Sequence, residues 1–309
     1  MKTNFSGLIA ATFTPIGYDG SIKTGLIAPV VKHLITQNVQ GIFVCGSTGE
    51  GFSLTTSERK DVTEAFLDAS NGRLKVFVHV GHCSVKDMAD LSSHAREHGA
   101  DAISATVPKY YGISSEIHLA EVLAEGIGCV TDIPFFYYHI PSKTGLNFNM
   151  VRFLQEGKEI IPSLAGIKYT APTLYEFQTC MEMFKGEYQL GFGVDEMFLS
   201  GLAAGSKLMV GSTYNFMAQA YHRIQEAFIG GNMEHARALQ YEAVEVVNLL
   251  LEYGPMAAQK SIMKMIGLDC GTVRRPLEPL SPAKETQLFK DLERTKFFSW
   301  QDRLVGIRK

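Results

Sequence analysis

The chain has 309 residues, of which 46% are hydrophobic and 20% are charged, a composition typical of globular proteins and not of disordered ones. The formal net charge of -3 gives no electrostatic reason to expect nucleic acid or an anionic membrane as a partner. The length alone suggests about two domains, but α/β barrels of this length form a single one.

The cysteines and the amino-terminal segment indicate where the protein is found. The cysteine count is odd, and no pair has the spacing of a zinc site, so we predict free thiols in a reducing compartment. The apolar run at residues 7–11 is too short for a signal peptide, and no stretch reaches the ~18 apolar residues that span a bilayer. We therefore expect a cytoplasmic protein without a membrane partner. The cysteines are Cys45, Cys83, Cys129, Cys180 and Cys270.

Short apolar runs, each followed by a helical stretch, recur along the chain. Most are nearly continuous in apolar residues, which is typical of parallel strands buried on both faces. Eight such units predict an α/β fold of the (βα)₈ TIM-barrel class; the alternative is an open Rossmann-like sheet, which rarely needs eight strands. The runs are residues 7–14, 40–46, 75–81, 102–108, 133–140, 164–170, 188–195 and 207–213.

One crossover helix has a clear start. Thr55 and Glu58 have the spacing of a capping box, and Val62, Phe66 and Ala69 then fall on one helix face.

The chain after about Tyr214 contains no further strand pattern and is predicted to be helical. Gly230-Gly231-Asn232 separates two helices, and three prolines mark a loop before the last one. We predict a single domain, with residues 1–220 as the barrel and 221–309 as a helical extension packed on it. The apolar stripe of the extension consists of Ala236, Leu239, Ala243, Val246, Val247 and Leu250, and the prolines are Pro276, Pro279 and Pro282.

A lysine lies inside the sixth apolar strand, where burial of an ammonium group is costly without a partner. In a barrel, active sites lie at the carboxyl ends of the strands. Desolvation disfavours the charged form of Lys168 and leaves more free amine, the form that Schiff-base chemistry needs. The alternative is a structural lysine paired with a carboxylate. Successive residues of a strand point to opposite faces. This alternation predicts that the lumen face consists of Gly166, Lys168 and Thr170, and that the face toward the helices consists of Ala165, Ile167 and Tyr169.

Polar residues also end the fifth and second strands. A tyrosine of the fifth strand, Tyr137 or Tyr138, can relay protons beside the lysine, and the alternative is that both belong to the core. We interpret His139 as a hydrogen-bonded structural histidine. In Gly46-Ser47-Thr48-Gly49-Glu50-Gly51, glycines let backbone N–H groups approach an anion, and Ser47 and Thr48 add donors. The segment lacks the ending of a P-loop, and a plain glycine-rich turn is the alternative.

The seventh and eighth strands end in groups that bind polyols. Asp195 and Glu196 can accept hydrogen bonds from sugar hydroxyls, and Ser212 can donate or accept. The alternative for the two acids is a favourable charge at a helix amino terminus.

Together these segments resemble the N-acetylneuraminate lyase branch of the dihydrodipicolinate synthase superfamily. The resemblance runs from about Gly7 to Asn215 and continues into the helical tail. The motifs that carry it are Gly46-Ser47-Thr48-Gly49-Glu50, Tyr138-His139-Ile140-Pro141, Gly166-Ile167-Lys168, Gly193-Val194-Asp195-Glu196 and Gly211-Ser212-Thr213-Tyr214-Asn215.

The resemblance implies a role for each position. Lys168 forms a Schiff base with C2 of an open-chain keto acid, and Tyr138 donates and accepts protons. Ser47 and Thr48 hold the substrate carboxylate, with Ser47 also touching the Tyr138 hydroxyl. The implied sugar-binding positions are Thr170, Gly193, Asp195, Glu196 and Ser212.

The resemblance also implies a substrate and an assembly. The substrate is a 2-keto acid sugar, N-acetylneuraminate, which is cleaved to N-acetylmannosamine and pyruvate. The protonated imine is the electron sink, so neither a metal nor a cofactor is required. In the implied homotetramer, Tyr110 or Tyr111 reaches a neighbouring subunit's site, and the sequence leaves open which one does.

One position departs from the pattern of the lyases. Lys143 stands where they usually carry an apolar residue and where the synthases carry an arginine that meets a second carboxylate. A related pyruvate-dependent aldolase or synthase with another aldehyde partner is therefore the first alternative. A glycoside hydrolase would need two facing acids about 5–10 Å apart, for which Glu50 is the only plausible second acid beside Asp195 and Glu196. A non-catalytic sugar-binding descendant is the third alternative.

Overall fold

Eight parallel strands close into a barrel in chain order, with β1 hydrogen-bonded to both β2 and β8. The structure is a computed structural model that describes residues 4–108, 110–128 and 130–301. The predicted (βα)₈ barrel is confirmed. Each strand ends before the apolar run from which it was predicted, because the last residues of each run belong to the loop that follows the strand. The strands are β1 Gly7–Ala11, β2 Gly41–Val44, β3 Lys75–His79, β4 Ala102–Ala105, β5 Phe135–His139, β6 Leu164–Tyr169, β7 Gln189–Phe192 and β8 Leu208–Gly211.

Helices surround this barrel and continue beyond it. Within the described residues, none combines the length with the apolar character that crossing a bilayer requires. Those up to α9 connect or follow the strands, and α10 to α12 form the extension. They are α1 Ile27–Thr36, α2 Thr56–Ser70, α3 Val85–Glu97, α4 Glu116–Ile127, α5 Pro141–Thr144, α6 Met150–Ile160, α7 Leu174–Met183, α8 Phe198–Ala203, α9 Tyr214–Ile229, α10 Met233–Tyr253, α11 Pro255–Met265 and α12 Pro282–Glu293.

Helix α2 begins as its sequence predicts. The Thr55 hydroxyl accepts a hydrogen bond from the Glu58 backbone N–H at 3.2 Å, and Glu58 Oε2 accepts one from the Thr55 N–H at 2.8 Å. The capping box is thus confirmed, and it satisfies two amide donors that the first turn of a helix leaves unpaired. Val62 and Phe66 are buried against the barrel, with Ala69 half-buried beside them.

The barrel has two apolar layers because successive strand residues point to opposite faces. The outer layer lies between the strands and the helices. The inner layer fills the lumen, and the rings of Phe5, Phe77 and Phe136 close its amino-terminal end with centroid distances of 4.7–6.0 Å. Space for a ligand is therefore left at the carboxyl ends of the strands.

The predicted division of β6 into two faces is wrong at Ala165. Phe135 of β5 pairs with Leu164, but the next residue, Phe136, pairs with Gly166, so Ala165 is one extra residue in the ladder. This bulge turns Ala165 into the lumen cluster, where the alternation rule had placed it against the helices. Beyond the bulge the rule holds, and Lys168 faces the lumen cavity.

The extension packs on the barrel through the predicted stripe of α10, all six residues of which are buried. The glycines before α10 end α9 at Ile229, as the sequence predicts. The predicted boundary between the barrel and the extension, after residue 220, lies inside α9 and not at the end of a helix. Polar contacts reinforce the packing: Gln240 of α10 accepts a hydrogen bond from Leu199 N–H at 2.8 Å and donates to the Glu196 carbonyl at 3.2 Å.

Candidate active site

A cavity of about 800 Å³ opens at the carboxyl ends of the strands. Its walls come from the loop after β2, from the ends of β5 to β8, and from the extension. All nine residues that the sequence analysis assigned to catalysis or substrate binding line it: Ser47, Thr48, Tyr138, Lys168, Thr170, Gly193, Asp195, Glu196 and Ser212. These positions come together because parallel strands of a barrel end at the same face.

Lys168 lies deep in this cavity and is only 6% exposed. Its Nζ is 3.8 Å from the ring centroid of Tyr138 and 4.1 Å from that of Phe43. Within the described part of the chain, no ion pair or hydrogen bond involves Nζ, so its contacts are two aromatic faces. This arrangement does not support the alternative of a structural lysine paired with a carboxylate.

The Tyr138 ring is fixed by aromatic neighbours. Phe43 lies edge-on at 5.6 Å and His79 at 6.0 Å from its centroid. No hydrogen bond of the described residues joins the Tyr138 hydroxyl to Ser47, unlike the contact that the resemblance implies. The hydroxyl is therefore free to serve a ligand bound beside Lys168.

The loop after β2 is held in a tight, strained shape. Cys45 and Glu50 both have left-handed backbone angles, with φ of 57° and 55°. A Cβ atom on Gly51 would lie 1.9 Å from the Cys45 carbonyl oxygen, so this close approach requires glycine. The fold of the loop brings Ser47 and Thr48 to the cavity wall, where their hydroxyls can bind an anion.

Beneath the loop, Glu50 forms a buried ion pair with Lys260 of α11, with 2.7 Å between Oε1 and Nζ. Lys260 also donates to the carbonyls of Thr14 at 2.9 Å and Thr272 at 2.6 Å, and Arg274 N–H donates to Glu50 Oε2 at 2.7 Å. Burial lowers the pKa of Lys260, while the nearby Glu50 carboxylate opposes that shift. Glu50 is therefore a structural group and not a second acid facing the cavity, which removes the acid pair that the hydrolase alternative needs.

Asp195 is buried at the rim with its carboxylate only partly satisfied. Its Oδ2 accepts hydrogen bonds from the Thr213 backbone N–H at 2.9 Å and from the Thr213 hydroxyl at 2.7 Å. Burial raises the pKa of Asp195 to about 6, although both Thr213 bonds oppose the increase. Its Oδ1 is buried without a hydrogen-bond partner among the described residues, and Gly211 leaves the space that this oxygen occupies.

Thr170 and Gly193 also meet at the cavity wall. A Cβ atom on Gly193 would lie 2.2 Å from Thr170 Oγ1, so glycine is required for that hydroxyl to fit. The hydroxyl is buried and lacks a hydrogen-bond partner in the described residues. Glu196 is exposed at the mouth of the cavity and Ser212 is half-buried in its wall.

The structure adds two residues that the sequence analysis missed, both from α11. Gln259 is 5% exposed, lines the cavity, and leaves its Oε1 without a hydrogen-bond partner in the described part of the chain. Lys260 beside it holds the loop after β2 through Glu50. One signal was available, because Gln259 and Lys260 are large polar residues flanked in α11 by the apolar or small residues 256–258 and 261–263.

Other predicted residues lie at the margin of the site or outside it. His139 is buried on the outer face of β5 against Tyr169, at 5.0 Å between ring centroids, and burial lowers its pKa to about 4. The prediction that it is hydrogen-bonded is wrong, because neither ring nitrogen has a hydrogen-bond partner in the described residues.

Lys143 is exposed at the cavity mouth. Tyr110 and Tyr111 are 84% and 81% exposed and do not line the cavity, and their contact with a neighbouring subunit stays a prediction.

Comparison with known proteins gives a consistent result. The N-acetylneuraminate lyase of Xenopus tropicalis is 39% identical over 275 residues, covering 88% of this chain and 90% of that protein. The structure of Proteus mirabilis N-acetylneuraminate lyase has a TM-score of 0.93 at 36% identity, covering 96% of this chain and all of the other. The sialic acid aldolase of Aliivibrio salmonicida has a TM-score of 0.92 at 35% identity, covering 96% and 98% of the two chains.

The family profile agrees with these individual relatives. The Dihydrodipicolinate synthetase family matches residues 4–295, which include the barrel, the cavity and most of the extension. We conclude that the chain belongs to the dihydrodipicolinate synthetase family.

Proposed function

We propose that this protein is a Schiff-base lyase that cleaves N-acetylneuraminate to N-acetylmannosamine and pyruvate. The observation that carries the proposal is Lys168, a buried lysine without an ion pair among the described residues, in contact with the Tyr138 ring at the base of a cavity. The relatives and solved structures reported above are named as N-acetylneuraminate lyases or as a sialic acid aldolase, which supports the choice of substrate.

The reaction begins with attack of the Lys168 amine on C2 of the open-chain keto acid. Loss of the C2 oxygen as water leaves a protonated imine. The Tyr138 hydroxyl, which has no hydrogen bond among the described residues, supplies and removes the protons of these steps. Phe43 and Tyr138 pack on the amine of Lys168 and exclude water from it.

Cleavage follows from the imine. Tyr138 accepts the proton of the C4 hydroxyl, the C3–C4 bond breaks, and its electron pair moves through C2 to the imine nitrogen. N-acetylmannosamine leaves as the aldehyde, and an enamine of pyruvate remains on Lys168. Protonation of C3 and addition of water to C2 release pyruvate and return the free amine. The imine is the electron sink, so the proposal includes neither a metal nor a cofactor.

The substrate groups are assigned from the cavity wall. We infer that Ser47 and Thr48 bind the carboxylate, because their hydroxyls line the cavity on a loop that can approach an anion. We assign the sugar hydroxyls to the rim formed by the ends of β6 to β8. There the Asp195 Oδ1 and the Thr170 hydroxyl have no hydrogen-bond partner among the described residues, and both residues line the cavity. The residues of that rim are Thr170, Gly193, Asp195, Glu196 and Ser212.

The assembly and location are part of the same proposal. We infer a cytoplasmic homotetramer, in which the exposed Tyr110 or Tyr111 contributes to a neighbouring subunit's cavity. We also infer a single folding domain formed by residues 1–220 and 221–309. The buried pair of Glu50 and Lys260 supports this, because it joins the two parts in the interior.

Two measurements test the proposal. Pyruvate release from N-acetylneuraminate, followed with a coupled dehydrogenase, is expected for the wild type and absent for Lys168→Met. Borohydride reduction in the presence of pyruvate should then attach a pyruvate-sized group to the peptide that contains Lys168 and not to the one that contains Lys260. No pyruvate release by the folded protein would refute the substrate, and an unmodified Lys168 would refute the Schiff base.

A second candidate is a related aldolase or synthase that joins pyruvate to an aldehyde bearing a carboxylate. The observation that favours it is Lys143, whose side chain is an exposed cation at the cavity mouth. A Lys143→Leu variant distinguishes the two. For the proposed lyase, its kcat/KM for N-acetylneuraminate stays within about threefold of the wild type, since a screened surface charge contributes little. For the alternative enzyme, condensation with an acidic aldehyde is lost.

A further inference from the structure

Three potential metal ligands meet on the outer surface of the barrel, between α2 and α3. Glu64 lies on α2, His94 lies in the last turn of α3, and His98 is the residue that directly follows the end of α3 at Glu97. Glu64 Oε1 is 2.8 Å from His94 Nε2 and 3.6 Å from His98 Nε2, and the three ligand atoms all lie within 4.8 Å of one another. None of the three residues lines the active-site cavity.

The orientation of His98 is already that of a metal ligand. Its Nδ1 donates a hydrogen bond to the His94 carbonyl at 2.9 Å, which places the proton on Nδ1 and leaves the Nε2 lone pair facing Glu64. A histidine that ligates a metal usually has its other nitrogen held in this way, often by a backbone carbonyl. The two imidazoles are stacked at 4.1 Å between centroids, and their ligand atoms lie within 4.8 Å of each other and of the Glu64 carboxylate.

The two helices are held in register near this cluster. One turn earlier on each helix, Lys60 of α2 and Asp90 of α3 form an ion pair at 2.7 Å. The capping box fixes the start of α2, and the Ser84 side chain caps α3 by accepting from Asp87 N–H. Two of the three ligands, Glu64 and His94, are therefore presented by well-anchored helices, and the ring of His98 is held next to them by the His94 carbonyl, which limits the entropy that binding would cost.

We propose that Glu64, His94 and His98 form a surface site for a divalent transition-metal ion of the zinc type, with water as the fourth ligand. Two imidazoles and one carboxylate suit Zn²⁺ and its neighbours, whereas Mg²⁺ and Ca²⁺ prefer oxygen ligands. Bonds of about 2.0–2.2 Å place tetrahedral ligands roughly 3.4 Å apart, so small side-chain rotations suffice to complete the site. On binding, the proton that His94 Nε2 shares with Glu64 moves to Nδ1 or leaves to solvent.

The ion would tie α2 to α3 on the outside of the barrel. Because a site of this geometry is absent from the unfolded chain, binding adds to the stability of the native state. The inference is independent of the proposed lyase activity, since the site lies outside the cavity and takes no part in Schiff-base chemistry.

The test uses tag-free, chelator-treated full-length protein and Zn²⁺ alone as the probe. Calorimetric titration should give one ion per chain for the wild type, and Co²⁺ should give the visible absorption of a tetrahedral complex. His98→Ala and Glu64→Gln should weaken binding by at least about 10-fold and remove the Co²⁺ bands, since each removes a ligand. The matched control is His235→Ala, an exposed histidine of α10 outside the cluster, which should bind as the wild type does.

A second readout separates loss of the site from loss of the fold. Zn²⁺ should raise the Tm of the wild type and of His235→Ala, but not that of His98→Ala, whose Tm without metal should equal the wild type's because His98 is exposed. The proposal is overturned if the wild type binds no ion, or if the His98 and Glu64 variants bind Zn²⁺ as tightly as the control.

Discussion

Two lysines are buried within the described part of this protein, and their surroundings are opposite. Lys260 is 2% exposed and its Nζ contacts one carboxylate and two carbonyls. Lys168 is 6% exposed, its Nζ lies over the faces of Tyr138 and Phe43, and it has no hydrogen bond or ion pair among the described residues. Both lysines are therefore buried, but among the described residues only the ammonium group of Lys260 has hydrogen-bond acceptors.

Burial of a lysine therefore has two different consequences, which depend on what surrounds its amine. The buried ion pair of Lys260 and Glu50 joins the extension to the loop after β2, and removal of one partner would leave the other charge buried and uncompensated. A buried lysine without a paired acceptor costs stability, and such a cost is common where an amine must react. The alternative considered for Lys168, a lysine held by a carboxylate, describes Lys260.

The largest expected effect is on activity at Lys168. Lys168→Met should lower kcat for pyruvate release by more than about 10³-fold, since the other described lysines that line the cavity, Lys143 and Lys284, are exposed and Lys168 alone is buried in it. Its free energy of unfolding should stay unchanged or rise by about 1 kcal/mol, because no ion pair is lost and an apolar side chain replaces an amine. Activity assays and thermal unfolding measure the two effects. A large loss of stability would contradict the contrast with Lys260.

The next effect is on stability at Lys260. Lys260→Met should lower the free energy of unfolding by about 3–5 kcal/mol, because it leaves the Glu50 carboxylate buried and unpaired. Adding Glu50→Gln should recover part of that loss, which a double-mutant cycle in urea denaturation measures. If the two changes are simply additive, the ion pair does not join the extension to the loop as described.

A third prediction concerns Asp195, the carboxylate in the same cavity as Lys168. Its pKa of about 6 lies above the value of 3.8 for an unperturbed aspartate, so the native state binds more protons between these values. The contribution of Asp195 to stability therefore falls as the pH rises through that window. If the carboxylate binds sugar hydroxyls, kcat/KM should fall as the pH drops below about 6.

The Thr213→Val variant sharpens this prediction. It removes the 2.7 Å hydroxyl bond that lowers the pKa of Asp195, so the fall in kcat/KM should move to higher pH. Thr106→Val is the matched control, because the buried Thr106 hydroxyl has no hydrogen-bond partner in the described residues. An unshifted pH profile for Thr213→Val would show that Asp195 does not bind the substrate.

The smallest effect is expected at Gln259, the neighbour of Lys260. Gln259→Leu should change the free energy of unfolding by less than about 1 kcal/mol, since the Gln259 carbonyl has no hydrogen-bond partner in the described residues to lose. If the amide contacts the substrate, KM should rise by about 2–10-fold with kcat nearly unchanged. Steady-state kinetics and Tm test this. A loss of several degrees in Tm would instead make Gln259 a structural residue like Lys260.

The barrel and nine of the residues that line the cavity could be predicted from the sequence. Eight apolar runs predict eight strands, and closure of parallel strands brings their carboxyl ends to one face, so Lys168 and Tyr138 had to meet there. The capping box of α2 and the stripe of α10 were also predictable, because each depends on spacing within one helix.

Features that depend on contacts between distant segments could not be predicted from the sequence. The bulge at Ala165 arises from the register between β5 and β6, which no single strand encodes. The pairing of Lys260 with Glu50 joins α11 to the loop after β2, and Gln259 reaches the cavity through the same packing. Local periodicity identifies which face of an element is buried, but the groups that satisfy a buried charge come from elsewhere in the chain. That is why Lys168 and Lys260 could be told apart only in the folded protein.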